Sequence, residues 1–407
     1  MASMSKQAAI VGAGRTTGFN KEGRSVPELI MQAAKMAIED AGLSKKDIDG
    51  IIHTLPAGLG VDPRVQYRFA EQMGFGAHTK VLDLPHTGGS SSGYANNQAR
   101  WWLQQGVCKY VLVVDGGDWR GRYVRGGRSM GASIQSYQDA ARNPHPYDWE
   151  MVFGTGGPYS IYATVAARHM YEFGTTSEQL AAISVACRKH ASMNERACLR
   201  QPITIEDVLN SRWISWPHHL LDCAYIAPGE GTAYIITSAE RARDCKKPPV
   251  WILGAGHAMS YYSISNLCQP SPDGFDIVRQ VGTLAADQAF GEAGVSRKDI
   301  DCLEVYDSFT STALMTIEEF GFCKIGEGGP FVEGGRIELG GELPLNTHGG
   351  LLSEGQVGNG TLFVMYEGIS QARGEAGVRQ VKERPMVCVG GTSGVISNFG
   401  CTILQGD

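Results

Sequence analysis

No two cysteines stand three positions apart as a CxxC pair, no apolar run approaches the ~20 residues of a membrane-spanning helix, and acidic residues outnumber basic ones. Each absence excludes a class. Without a CxxC pair the ten cysteines read as buried reduced thiols rather than zinc ligands, which suits a reducing cytoplasm. A formal net charge of -6 argues against nucleic acid as the main partner. Residues 1–7 are short and polar and run straight into AAIVGAG, so no signal peptide is expected. Charged residues make up 19% and apolar ones 43%, an ordinary soluble composition, and 407 residues suffice for two domains or one duplicated unit. The one excess is glycine, 53 residues clustered at predicted strand ends, which suggests tight turns where backbone approaches a ligand.

Residues 80–93, KVLDLPHTGGSSSG, organise the rest. A short apolar run ends in a Gly-Gly-Ser-Ser-Ser-Gly turn, and a helical pattern begins at Tyr94. Whatever sits on such a turn is lifted to a helix N-terminus, where free N–H groups and the dipole favour negative charge. Upstream, AAIVGAG reads as a buried strand followed by a glycine turn over residues 12–18. GAGRTTG is not a dinucleotide fingerprint: Thr17 replaces its third glycine, and the next strand, near 50–54, lacks the terminal acid. Ser25 and Glu28 have capping-box spacing, and apolar residues then recur at helical spacing from about Val26 to Ala41.

A repeat carries the architecture. AGLSKKDIDGI at 41–51 recurs as AGVSRKDIDCL at 293–303, and AIVGAG recurs as WILGAG, with about ten extra residues in the first loop of the second copy. Each copy alternates strand and helix, which implies two α/β halves, residues 1–249 and 250–407. From about 119 to 160 the first half dissolves into glycine, arginine and proline, an insertion read as a covering loop. Its Arg120, Arg122, Arg125 and Arg128 suit phosphates, or are simply an exposed basic loop.

Two duplicated α/β halves with an acyl-chemistry turn after the third strand resemble the thiolase superfamily. SRWISWPHHLLDC, VYDSFTSTALMTIEEFGFC, LPLNTHGGLLSEGQ and the GGTSG loop sharpen the likeness to sterol-carrier and lipid-transfer-protein-type members, above all steroid side-chain-cleaving aldolases. The resemblance implies a layered α/β/α/β/α fold, a coenzyme A thioester as substrate with no permanently bound cofactor, a homodimer, and a separate small partner with an OB-fold and a zinc ribbon.

It also implies what is missing. The thiolase nucleophile position is Ser90, their Asn-Glu-Ala-Phe or His-Asp-Cys-Phe element reads Tyr306-Asp307-Ser308-Phe309, and their Gly-His-Pro element reads Gly355-Gln356-Val357. A thiol is strongly nucleophilic, whereas a serine needs an adjacent base. By the resemblance, Ser90, Gly391 and Gly394 hold the thioester oxygen, Tyr306 or His348 transfers the proton, and Gln356 holds a carbonyl, with Arg120, Arg122 and Arg125 the candidates for coenzyme A. His86 is a possible pocket-lining residue, Asp307 reads as the N-cap region of the following helix, and Trp101-Trp102 read as a dimer or partner contact. The expected activity is retro-aldol cleavage of a bulky 3-hydroxyacyl-CoA. The alternatives are thiolysis of a 3-ketoacyl-CoA, with coenzyme A or Ser90 attacking, and a non-catalytic acyl-CoA or lipid-binding subunit.

Overall fold

The computed structural model describes residues 6–16, 23–54, 65–84, 88–118, 158–260, 271, 273–358, 360–394 and 396–407. Thr17, His86, Arg120, Arg122, Arg125 and Arg128 lie outside the described residues, as does the expected covering loop up to residue 157. The strands are β1 (Ala8–Arg15), β2 (Gly50–His53), β3 (Lys80–Asp83), β4 (Tyr110–Gly117), β5 (Trp213–Ser215), β6 (His218–His219), β7 (Glu230–Ser238), β8 (Val250–Met259), β9 (Cys302–Val305), β10 (Met386–Ser393) and β11 (Asn398–Gly406). The helices are α1 (Val26–Ala41), α2 (Val65–Met73), α3 (Ser91–Gln104), α4 (Pro158–Phe173), α5 (Ser177–Ser192), α6 (Ile205–Asn210), α7 (Ala239–Ala242), α8 (Gly282–Ala293), α9 (Thr310–Glu319), α10 (Gly328–Phe331), α11 (Gly350–Ser353) and α12 (Thr361–Arg373). Among the described residues, no helix is long and apolar enough to cross a membrane.

Nine strands form one sheet in the order β3-β2-β4-β7-β1-β8-β11-β10-β9. The seam is antiparallel, Ala9 opposite Trp251 and Ile10 opposite Val250, so strands from residues 8–238 meet strands from 250–406 there. Helix α1 packs on β1, β4 and β7, and α8 packs on β8 and β11. Helices α3 and α12 lie against each other and against strands of both sets. Taking the strands on either side of the seam as the two halves of that sheet, the layering is helix, half-sheet, helix pair, half-sheet, helix.

The repeated sequence makes repeated structure. Gly42 and Gly294 end α1 and α8 in the left-handed region, at φ 71° and 68°, where a residue without Cβ is favoured. Asp47 then accepts the Ser44 N–H at 2.8 Å and Asp299 accepts the Ser296 N–H at 2.7 Å. The expected glycine turn over residues 12–18 is corrected: Gly12 and Gly14 lie inside β1, which runs on to Arg15. A Cβ on either would stand 2.2 Å from the carbonyl of Ala37 or Ala33, and one on Gly254 or Gly256 would stand 2.0 Å from that of Ala289 or Ala285. These glycines therefore let a helix lie directly on a strand. The second copy also departs from the first. Beside β9, where β3 would recur, there is a single parallel bridge from Leu303 to Leu345. The chain then bends at Asn346, φ 49°, whose side chain pairs with both the N–H and the C=O of Val305, at 2.7 and 2.9 Å.

Close helix-on-strand packing predicts an asymmetric response to adding methyl groups. Gly254→Val should lose at least about 1–3 kcal/mol, because the strand must move off α8. Gly291→Ala, inside α8 with open space around its Cβ position, should gain up to about 1 kcal/mol. Urea midpoints of the two variants check both signs.

Candidate active site

The turn before α3 is a single tight coil, Gly88–Ser90, entered with Gly88 at φ 55°. Gly89 cannot carry a side chain, since its Cβ would stand 2.3 Å from both the Tyr306 ring and the Thr392 carbonyl. Ser90 is buried, with its hydroxyl 2.9 Å from that of Ser393 in β10. The Thr361 hydroxyl donates to the Gly89 carbonyl, so the N-termini of α12 and α3 converge on the turn. Two helix N-termini meeting with their dipoles make this corner favourable for developing negative charge.

Tyr306 follows the last residue of β9, and its N–H donates to the Gly390 carbonyl at 2.9 Å. Its ring is packed by backbone: Cβ atoms on Gly89 and Gly360 would lie 2.3 and 2.9 Å from it, and one on Gly391 would lie 2.4 Å from the Tyr306 Cβ. The Gln356 side-chain amide donates to the Tyr306 hydroxyl at 2.9 Å. Burial pushes the phenol up to about 12; the Ser308 hydroxyl and the Gln356 amide oppose the rise and the Asp307 charge adds to it. The phenol is therefore protonated at neutral pH. Because it accepts from Gln356, its own hydrogen can be donated elsewhere.

Gln356 is itself held at its backbone, donating to the Tyr225 carbonyl at 2.7 Å and accepting from the Ala227 N–H at 3.1 Å. Residues 223–227 form a strap, since Ala224 also donates to Ser308 and Tyr225 to Leu351, at 2.9 and 3.0 Å. The SRWISWPHHLLDC motif leads into that strap and is pinned to the start of α9. His218 lies 2.8 Å from the Ser311 hydroxyl, and Asp222 accepts from the Thr310 hydroxyl at 2.9 Å.

The reading of Asp307 as a cap for the helix after it is corrected. Phe309 holds that position for α9, and Asp307 instead accepts the Leu351 N–H at 2.7 Å, capping α11. The chain reversal at Asn346 brings α11 back onto β9 and makes this possible. Burial pushes Asp307 up to about 7, against the Leu351 and Leu352 amides, the His348 charge and the Asn346 side chain.

His348 is buried between carboxylates. Its Nδ1 lies 3.0 Å from Glu304 and its Nε2 3.7 Å from Glu354, and none of its hydrogen bonds or ion pairs goes to Tyr306 or Ser90. Burial lowers its pKa, but the Glu304 hydrogen bond and the charges of Glu354, Glu304 and Glu367 outweigh that and hold it at about 9. Burial also pushes Glu304 up, so the pair keeps its proton through neutral pH. Glu354 is desolvated too, yet Arg15, His348 and Arg196 hold it at about 2. Arg15 binds Glu230 at 2.8 Å and Glu354 at 2.9 Å, and Arg379 binds Glu367 at 3.0 Å. Thr347 bridges Glu304 and Glu367, at 2.6 and 2.9 Å. These contacts form a buried chain of charged groups from β1 to α12, with the Thr347 hydroxyl between the like-charged Glu304 and Glu367.

The structure thus brings Ser90, Tyr306, Gln356 and Gly391 together. Gly394 lies next to Ser393, its carbonyl accepting from the Ser397 hydroxyl. His348 belongs to the charge chain. Sequence reasoning missed Thr361, Ser393, the strap and the chain itself. One signal for the chain was present: Glu304 stands between Leu303 and Val305 in an apolar strand, and a charge there requires a partner.

Comparisons with known proteins follow the same line. A family model for the thiolase C-terminal domain-like family matches residues 273–406. The steroid side-chain-cleaving aldolase of Thermomonospora curvata is 35% identical over 353 residues, 86% of each chain. The 17-hydroxy-3-oxo-4-pregnene-20-carboxyl-CoA lyase of Mycobacterium tuberculosis is 35% identical over 375 residues, 91% of this chain and 92% of the relative. Among solved structures, the Ltp2-ChsH2(DUF35) aldolase superposes with a TM-score of 0.84 at 32% identity, covering 100% of this chain and 99% of that one.

The charge chain sets a pH dependence. A histidine raised from its ordinary 6.5 to about 9 contributes stability that is full below pH 6.5 and lost as pH rises through 9. His348→Gln should therefore cost on the order of 3 kcal/mol at pH 6 and much less at pH 10. Urea unfolding of wild type and variant at both pH values measures the gap.

Proposed function

Because the chain belongs to the thiolase superfamily, in the branch of the steroid side-chain-cleaving aldolases, we propose that it cleaves a carbon–carbon bond of a bulky 3-hydroxyacyl-CoA by a retro-aldol route. The observation that carries this reading is the buried Tyr306–Gln356 pair facing the Ser90 turn. On this reading residues 1–249 and 250–407 are the two halves, and the site lies between them.

The reaction needs one proton moved. The O–H bond of the 3-hydroxyl breaks, C2–C3 breaks, C3 becomes a ketone or aldehyde, and C2 gains a hydrogen as the shorter acyl-CoA. The proton lost by the hydroxyl is the one that C2 requires, so a single relay suffices and no free coenzyme A is consumed. Tyr306 is that relay. Protonated at rest, its oxygen accepts the 3-hydroxyl proton as C2–C3 breaks while its own hydrogen passes to C2, so the phenol ends protonated as it began. The thioester enolate oxygen sits at the corner where α3 and α12 begin, with the backbone at Ser90 and Gly391 beside it, where preorganised donors stabilise developing charge most. Gln356 orients the phenol, and the same amide is placed to hold a substrate oxygen. His348 and Glu304 act at a distance, fixing the 346–356 segment. Arg120, Arg122 and Arg125 stay with the coenzyme A phosphates in this proposal.

The relatives named for steroid CoA thioesters support a bulky, apolar acyl group. The name Ltp2-ChsH2(DUF35) aldolase pairs two components, which supports a separate partner subunit here; that this subunit is of the OB-fold and zinc-ribbon kind is what the family resemblance implies. A homodimer completes the proposed assembly, in the cytoplasm.

Tyr306→Phe keeps the ring on Gly89 and Gly360 and removes the relay, so kcat should fall by about 10²–10⁴. Ser90→Ala should keep activity within about tenfold, because the turn acts through its backbone. Release of the shorter acyl-CoA, followed with the partner present, measures both. Full activity in Tyr306→Phe sinks the assignment.

A further inference from the structure

We propose that Arg15, on the first strand of the first half, is a positioning residue for the Tyr306–Gln356 pair in the second half, acting through Glu354. The proposal rests on the retro-aldol reading of that pair. It names a long-range contact that the reaction depends on, though Arg15 touches neither reacting group.

Arg15 ends β1, is 3% exposed, and stacks its guanidinium over the Phe363 ring of α12 with 4.6 Å to the centroid. Its Nε binds Glu230 at 2.8 Å and its NH1 binds Glu354 at 2.9 Å, so one planar fork fixes two carboxylates at once. Glu354 receives a second hydrogen bond from the Asn194 amide at 3.1 Å, and its carbonyl accepts the Cys198 N–H at 3.2 Å. All three partners lie in the first half. One residue separates it from Gln356, and that residue is Gly355 at φ 127°, whose Cβ position lies 2.5 Å from the Ala227 Cβ. A crossing this close leaves the backbone no side room. Peptide planes are rigid, so displacing Glu354 displaces Gln356, and with it the 2.9 Å hydrogen bond to the Tyr306 hydroxyl. Beyond Gln356 the segment is again bracketed by the first half, where a Cβ on Gly117 would meet Gly358 at 2.5 Å.

A second cation separates geometry from charge. Arg196 lies 3.4 Å from Glu230 and 4.0 Å from Glu354, and is 28% exposed. It offers the same carboxylates the same charge with poorer geometry. If charge alone mattered, removing Arg196 would hurt nearly as much as removing Arg15.

The test uses the full chain with its partner and 17-hydroxy-3-oxo-4-pregnene-20-carboxyl-CoA as probe, comparing Arg15→Gln, Glu354→Gln, their double variant and Arg196→Gln. Each of the first two should lower kcat roughly ten- to a hundredfold with KM within about twofold, as expected for a misaligned relay that still binds substrate. The double variant should fall no further than the worse single, and Arg196→Gln should stay within about threefold of wild type. Urea midpoints confirm folding. If Arg15→Gln is insoluble, Arg15→Lys carries the test, because it keeps the charge but cannot hold both carboxylates; it should lower kcat in the same way by a smaller factor. Wild-type kcat in the soluble variants, multiplicative losses in the double, or a loss confined to KM would overturn the positioning role while leaving the reaction intact. A wild type that cleaves no 3-hydroxyacyl-CoA would overturn the reaction itself, and the positioning role with it.

Discussion

The contact on which the rest depends is a phenol ring laid on bare backbone. Tyr306 enters the corner between α3, α12 and β10 only because Gly89 and Gly360 carry no side chain where the ring lies and Gly391 carries none against its Cβ. Those glycines come from three separate segments, so the ring joins the turn to the start of α12 while the tyrosine's Cβ and backbone lie on β10. Burying an aromatic ring stabilises the fold, and burying its hydroxyl costs free energy unless a partner is supplied. Gln356 supplies it at 2.9 Å, and the same burial raises the phenol to about 12. Packing, hydrogen bonding and proton affinity are thus one arrangement, and in it the tyrosine holds a proton ready to give.

In the proposed relay role such a ring must be held from outside, because a relay misplaced by an ångström is a poor one. Two devices do this. The strap over residues 223–227 clips the Ser308 and Gln356 segments together through backbone bonds. Beneath it, the chain from Arg15 to Arg379 buries Glu230, Glu354, His348, Glu304 and Glu367. A buried ion pair brings little net stability compared with an apolar core, while breaking one costs about 3–5 kcal/mol. Its retention beside the site fits a role in geometry more than in stability, as the Arg15–Glu354 contact argues.

Much of this was legible in the amino-acid sequence, and the exceptions share a cause. The 41–51 and 293–303 repeat announces the duplicated layers, because a helix stop, a Ser-to-Asp cap and a strand follow one another in each copy at fixed spacing. Ser90, Tyr306, Gln356 and Gly391 are found by their motif context. Gly12 and Gly14 mislead, since a glycine inside a strand against a helix and a glycine in a turn look alike until the helix is placed. Asp307 misleads for a related reason: its partner amide at Leu351 is forty-four residues away, and a local cap is the only cap that spacing can suggest. The charge chain is hidden for the same reason. Arg15 and Glu354 are 339 positions apart, and only the fold makes them neighbours.

The central claim is that this site breaks a carbon–carbon bond without a covalent enzyme intermediate. The direct measurement is a single-turnover reaction with a 3-hydroxyacyl-CoA and no added coenzyme A, quenched during turnover and read by intact-protein mass. The account predicts a ketone or aldehyde, a shorter acyl-CoA and a protein of unchanged mass. A protein heavier by an acyl group on Ser90, or cleavage that occurs only when free coenzyme A is supplied, would contradict it.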